Sequence, residues 1–176
     1  MVSWIQRSIG AGLIIAGAAA YGAGLARSVR QRVRELAALD RALHILETEI
    51  VYGYVPLPEA CAQVARSVDG YVGQLFNAAG KRLLQAERPP VTVVWKEVVA
   101  HWGSGSHLTG EDLEVLAALG ATLGRSDAED QARHLRLARE RLLSTRRGLE
   151  ENLDQQCRLR IYLGVGSGAV LAVLLV

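Results

Sequence analysis

Few residues of this chain could do chemistry, and their spacing argues against most of the reactions they suggest. Gly80-Lys81 has the look of the end of a phosphate-binding loop, in which backbone amides and a lysine hold the phosphates. However, Arg82 stands where Ser or Thr is needed and Leu75 where the first glycine belongs. His101 and His107 flank Gly103-Ser-Gly-Ser106, which reads as a flexible link, yet no Cys or carboxylate lies at a spacing that would complete a metal site, so they read as solvated loop histidines. Asp127, Glu129 and Asp130 could gather a hard cation, but acidic residues in a first helical turn are explained by capping and the helix dipole. Glu47 and Glu49 sit about 200° apart around a helix and cannot form an acid/base pair on one face. Cys61 and Cys157 are far apart with no Cys-x-x-Cys spacing, so neither a disulfide framework nor a zinc knuckle is implied, and Cys157 reads as an unmodified thiol beside an apolar stretch. The expectation is therefore no catalytic, cofactor-binding or metal-binding residue.

Two stretches carry more than a helix needs. Leu46-Glu47-Thr48-Glu49-Ile50-Val-Tyr52-Gly53-Tyr54-Val-Pro56-Leu57-Pro58-Glu59-Ala60 joins carboxylates, two tyrosines and a proline turn, which suits either a fixed interhelical corner or a docking edge. Leu119 to Leu135 sets a glycine C-cap at Gly124 directly against a capping box at Ser126 to Glu129, making a tight helix–turn–helix joint or, equally, a partner surface. The candidate partner-binding residues are Glu47, Glu49, Tyr52 and Glu59 in the corner, and Arg125, Asp127, Glu129 and Asp130 in the joint.

The elements that must position these residues read as helices throughout. Half of the residues are hydrophobic but only 5% are aromatic, so the apolar mass is Ala, Leu and Val. Val29, Val33, Leu36, Leu39, Leu43, Leu46 and Ile50 recur at helical steps up to Tyr52-Gly53, where Pro56 and Pro58 prevent resumption. Pro58 opens a short second helix as far as Val68, and Tyr71 to Glu87 makes a third, broken by Arg88-Pro89-Pro90. Val91 to Trp95 has strand propensity, but Trp95, Val98, Val99 and Trp102 keep helical spacing and no partner strand exists, so a short helix is expected. Thr109 with Glu111 and Asp112 starts a fifth helix, and Asp127 toward Arg160 is the longest polar-faced one, with Leu135, Leu142 and Leu149 at steps of seven. The expected fold is all-α, a bundle of about six helices with N- and C-terminal membrane helices.

Those ends set the topology. Ser8 to Ala26 contains no charged residue and reaches about the length that crosses hydrocarbon, and Ile161 to Val176 is again uncharged. A cleaved secretory signal is the alternative for the first segment, but Arg27, Arg30, Arg32 and Arg34 crowd its exit as they do for a cytoplasmic anchor. Arg158 and Arg160 stand on the same side of the second segment. The expected organisation is an N-terminal transmembrane helix at 1–26, a cytoplasmic helical bundle at 27–160, and a hydrophobic transmembrane segment at 161–176. The formal net charge of +2 implies no nucleic-acid partner.

The run Glu47-Thr48-Glu49-Ile50 with Tyr52-Gly53 and Pro56-Leu57-Pro58-Glu59-Ala60, together with Leu123 to Asp127, Asp130-Gln131 and Tyr162-Leu163-Gly164, closely resembles the stage III sporulation protein AB family of endospore-forming bacteria. The resemblance implies a part of the secretion-like channel between mother cell and forespore, similar to the inner-membrane platform protein of type II secretion and type IV pilus systems. It implies a mother-cell membrane location and a cytoplasmic secretion-type ATPase of the same complex as partner. Other membrane subunits of the sporulation channel and the lipid bilayer are further implied partners, and homo-oligomer formation is left open. The rival readings are a membrane-anchored adaptor or regulator that recruits a cytosolic partner, and an enzyme, for which no constellation is present.

Overall fold

In a computed structural model, the backbone is described for residues 2–85, 89–124 and 127–175, and side chains for 27–85, 89–124 and 127–152. Six α-helices occur among these residues: α1 (Val2–Val51), α2 (Leu57–Ser67), α3 (Tyr71–Leu83), α4 (Val91–Gly103), α5 (Gly110–Ala118) and α6 (Ala128–Leu175), with a 3-10 turn at Leu119–Ala121. No strand is present among them, so the chain is all-α as expected. The Val91 to Trp95 run is helical because Trp95, Val98, Val99 and Trp102 all reach the core only at helical spacing.

The frame is the pair α1 and α6. Asp40 meets Arg139 and Glu47 meets Arg136, so the residue number rises along one helix as it falls along the other and the pair is antiparallel. The periodic face of α1 is buried from Leu36 through Leu39, Leu43 and Leu46 to Ile50, while Val29 and Val33 are only partly covered. Leu135 and Leu142 of α6 join the same core. The two helices therefore leave the packed region together, α1 by its N-terminal part and α6 by its C-terminal part.

The shorter helices fill one side of that pair. α2 and α3 pack closely because Gly80 replaces a side chain: a Cβ there would lie 3.0 Å from the Pro58 carbonyl oxygen and 3.3 Å from Cys61 Cβ. Gly80-Lys81 is thus the inside and outside of one helix, not a loop. Trp95 of α4 donates from Nε1 to the Leu116 carbonyl at 2.7 Å and meets Phe76 edge-on at 5.8 Å. Tyr71 and Trp102 stack at 5.1 Å and each donates to the other's backbone carbonyl at 2.8 Å, joining the start of α3 to the end of α4.

Three expectations need correction or restriction. The link after Trp102 is a hydrogen-bonded turn rather than a flexible one, since Gly105 N and Ser106 N donate to the Trp102 and Gly103 carbonyls. His107 is not merely solvated, because its ring and its backbone N–H both lie 2.9 Å from the Glu35 carboxylate of α1. Among the described residues no helix is long and apolar enough to cross a membrane, and the two segments expected to do so lie outside the residues whose side chains are described.

Cys61 is wholly buried and burial pushes its thiol up from 9.0 to about 12. The unfolded thiol ionises near its ordinary value, so the neutral thiol's contribution to stability is complete below about pH 9 and is lost as pH rises toward 12. With Cys157→Ser removing the second thiol, a thiol reagent at pH 8 is expected to modify Cys61 only at the rate of unfolding; immediate modification of folded protein would contradict this packing.

Candidate functional site

The site-bearing end of the molecule is the one where α1 stops and α6 starts. α1 stops where Gly53 N turns back to the Thr48 carbonyl, which already accepts the last helical bond from Tyr52 N, and Val55 N turns back to the Glu49 carbonyl. Gly53 is required at that bend, since a Cβ would sit 2.7 Å from the Glu49 carbonyl oxygen. The next residue, Tyr54, holds φ 51, a left-handed backbone that a bulky residue rarely adopts. The outcome is that Tyr52 and Tyr54 are 76% and 84% exposed, two rings projecting from a stiff corner.

The joint comes to the same place. Gly124, with φ 71, ends the helical turn before it, and its N–H donates to Gln131 Oε1 at 3.0 Å. A Cβ on Gly124 would meet Val91 at 3.1 Å and Leu57 at 3.7 Å, so the joint lies directly against the start of α2 and of α4. α6 is capped by Asp127, whose Oδ1 accepts from Asp130 N at 2.7 Å. Ser126, expected to cap, lies outside the described residues, as does Arg125.

Glu47 links the corner to the joint. It is buried, with 8% of its surface exposed, and accepts from Arg136 Nε at 2.6 Å through one oxygen and from Arg139 Nη1 at 3.2 Å through the other. Arg139 also donates to Asp40 at 2.9 Å and lies 3.2 Å from His44 Nδ1. Arg136 is itself exposed, and its pKa is pushed above the ordinary arginine range by the hydrogen bond to Glu47 and then by that carboxylate's charge. Slight desolvation opposes this, and Tyr52 and Glu129 add to it, which puts all three groups in one field. Beside Arg136 a shallow cleft of about 350 Å³ is lined by Asp127, Glu129, Asp130 and Arg133 as well. Asp130 pairs with Arg133, and the His134 ring donates from Nδ1–H to the Asp130 carbonyl at 2.9 Å.

Of the residues expected to bind a partner, Glu47, Tyr52, Asp127, Glu129 and Asp130 are thus brought to one face. Glu47 shapes that face from beneath, while the other four line it. Glu49 lies at the bend, its Oε2 3.2 Å from where a Gly53 Cβ would be. Glu59 is exposed in the first turn of α2, where its charge suits the positive helix end. Arg136 and Arg139 were not foreseen as members. Their i, i+3 spacing on α6, opposite Asp40 and Glu47 at i, i+7 on α1, is the signal that could have found them. Among the described residues no group of three or more His, Cys, Asp or Glu is placed to hold a metal ion.

The chain is similar to proteins of one kind. A family model described as Stage III sporulation protein AB matches residues 7–176. The Stage III sporulation protein AB of Bacillus subtilis (strain 168) is 30% identical over 167 residues, which covers 95% of this chain and 97% of that one. A solved structure of Stage III sporulation protein AB superposes with a TM-score of 0.65 at 30% identity, covering 70% of this chain and 97% of that chain.

The cap and the buried carboxylate should separate on mutation. Asp127→Ala is expected to lower unfolding free energy by about 1 kcal/mol through the lost cap. Glu47→Gln should cost about 1–2 kcal/mol, because a charge-assisted pair becomes neutral while its arginines keep some access to water. Urea denaturation checks both; a Glu47→Gln protein as stable as the parent would remove Glu47 as the link between α1 and α6.

Proposed function

This chain belongs to the stage III sporulation protein AB family, and from that membership we propose that it is a non-catalytic membrane platform subunit of the sporulation channel complex, coupling a cytoplasmic ATPase to the envelope assembly. The apolar segments 1–26 and 161–176 cross the mother-cell membrane, and residues 27–160 form the cytoplasmic domain between them. Antiparallel pairing of α1 and α6 supports this topology, because it directs both apolar segments out of the same end of the bundle. The basic residues beside both segments agree with a cytoplasmic centre.

The observation that carries the docking part of this reading is the exposure of Tyr52, which lies in the field of Arg136 at its cleft, and of Tyr54 two residues on, at the end farthest from those segments. Tyrosine supplies large contact area at low conformational-entropy cost, and arginine and tyrosine dominate binding energy at interfaces. Tyr54 combines a left-handed backbone with an exposed ring, and such strained positions cluster at binding sites. This face takes the secretion-type ATPase, and the cores of α2 to α5 serve to hold the corner and the joint together.

Two measurements test this. In cells, a cysteine at Ser104→Cys should resist an impermeant thiol reagent added from outside; labelling would reject the topology. With purified proteins, Tyr52→Ala combined with Tyr54→Gly, which keeps the left-handed turn, is expected to weaken ATPase binding by about tenfold or more while leaving the melting temperature nearly unchanged. Undiminished binding at matched folded concentration would reject this face as the docking surface.

A further inference from the structure

The opposite end of the packed region carries a second charged surface. The first acidic residue of the chain is Glu35, so residues 27–34 hold Arg27, Arg30, Arg32 and Arg34 with no carboxylate among them. These four do not share one task. Arg32 turns inward and donates to Asp112 at 2.8 Å and to Thr109 Oγ1 at 3.0 Å, while Glu35 is taken by His107. Arg27, Arg30 and Arg34 are exposed and lie within about 60° of arc on one face of α1. Among the described residues none of the three is in an ion pair; Arg34 donates only to the Gln31 side-chain oxygen at 3.2 Å.

Among the described residues, no carboxylate of the neighbouring helix pairs with this face. Where α6 passes alongside, Arg146 and Arg147 are matched in number by Glu150 and Glu151, and Arg146 is bonded to Glu150 at 2.8 Å. Helical side chains lean toward the N-terminus of their own helix, so the arginines of α1 lean back toward the apolar segment that ends at Ala26, whereas those of α6 lean away from its apolar segment. Along a helix, Arg27, Arg30 and Arg34 lie about 1.5, 6 and 12 Å beyond Ala26. The reach of an arginine side chain brings all three within about one Debye length of a bilayer surface that the segment would cross. Arg41 stands on the same stripe but about 22 Å beyond Ala26, outside that range.

We propose that Arg27, Arg30 and Arg34 form a seat for anionic phospholipid headgroups, gathering such lipids around the point where α1 enters the membrane. The inference rests on the membrane reading above, and adds lipid selectivity to it. Guanidinium groups pair with phosphate in a bidentate fashion, and a surface of three cations that form no ion pair among the described residues retains anionic over zwitterionic lipids. The bulk charge of the chain hides this surface, because acidic residues elsewhere balance it.

The test uses the full chain inserted into vesicles of phosphatidylcholine and phosphatidylglycerol in equal parts, then excised with its surrounding lipids in polymer-bounded discs, whose lipid ratio is measured. Discs holding the parent protein are expected to be enriched in phosphatidylglycerol by about twofold or more at low salt, and to lose that enrichment at about 1 M salt. Arg41→Gln should keep the enrichment, single Gln substitutions at Arg27, Arg30 or Arg34 should each reduce it, and the triple substitution should return it to the vesicle ratio. Equal ratios for parent discs and vesicles, or a triple variant as enriched as the parent, would overturn the inference. Extraction at alkaline pH separates this from the topology: a parent chain released from vesicles sinks the membrane reading and the lipid seat together, whereas a chain retained without enrichment sinks the seat alone.

Discussion

The pairing of two long helices in opposite directions is the constraint on which the remaining structure depends. An apolar seam through Leu36, Leu39, Leu43 and Leu46 supplies the burial, and Leu135 and Leu142 approach the same core from α6. Apolar burial alone does not choose a register. Asp40 and Glu47 facing Arg139 and Arg136 hold the observed one, in which the buried Glu47 is bonded through both of its oxygens and no uncompensated carboxylate is left in the interface.

With that register in place, the four short helices have a limited set of positions. Each is too short to persist in water by itself and is held by a few specific contacts rather than by its own propensity. Trp95 ties α4 to the end of α5, the Tyr71–Trp102 pair ties α3 to α4, and Arg32 with Glu35 ties the 107–112 segment to α1. The tie at Asp112 also completes a capping box with Thr109, so one carboxylate both caps α5 and anchors it to the frame. Such double use explains why a small number of polar residues is enough for an otherwise apolar interior.

The frame also gives the molecule two unlike ends. At one, α1 stops at a corner with two exposed tyrosines, and Tyr52 lies in the field of Arg136, which lines a mixed-charge cleft with the first turns of α6. At the other, Arg27, Arg30 and Arg34 of α1 are exposed and form no ion pair among the described residues, where the chain leads into apolar sequence. The helices between these ends are close-packed, and a close-packed interior transmits strain between them.

The amino-acid sequence by itself determined the helices and their inward faces, because a 3.6-residue period shows in the chain wherever one side of a helix is buried; Leu36 to Ile50 and Trp95 to Trp102 were legible for that reason. It also determined where helices break, since Gly53, Pro56, Pro89 and Gly124 act on their own backbones, and it carried the family through short runs at the corner and the joint. Only the tertiary structure decided what those breaks are near. Arg136 and Arg139 meet Glu47 and Asp40 across 89 to 99 residues of chain, His107 finds Glu35 across 72, and Gly124 comes to rest against Leu57 and Val91. Exposed charged faces have many acceptable partners when considered one helix at a time, and the antiparallel register that selects among them is a property of the packed pair, not of either segment.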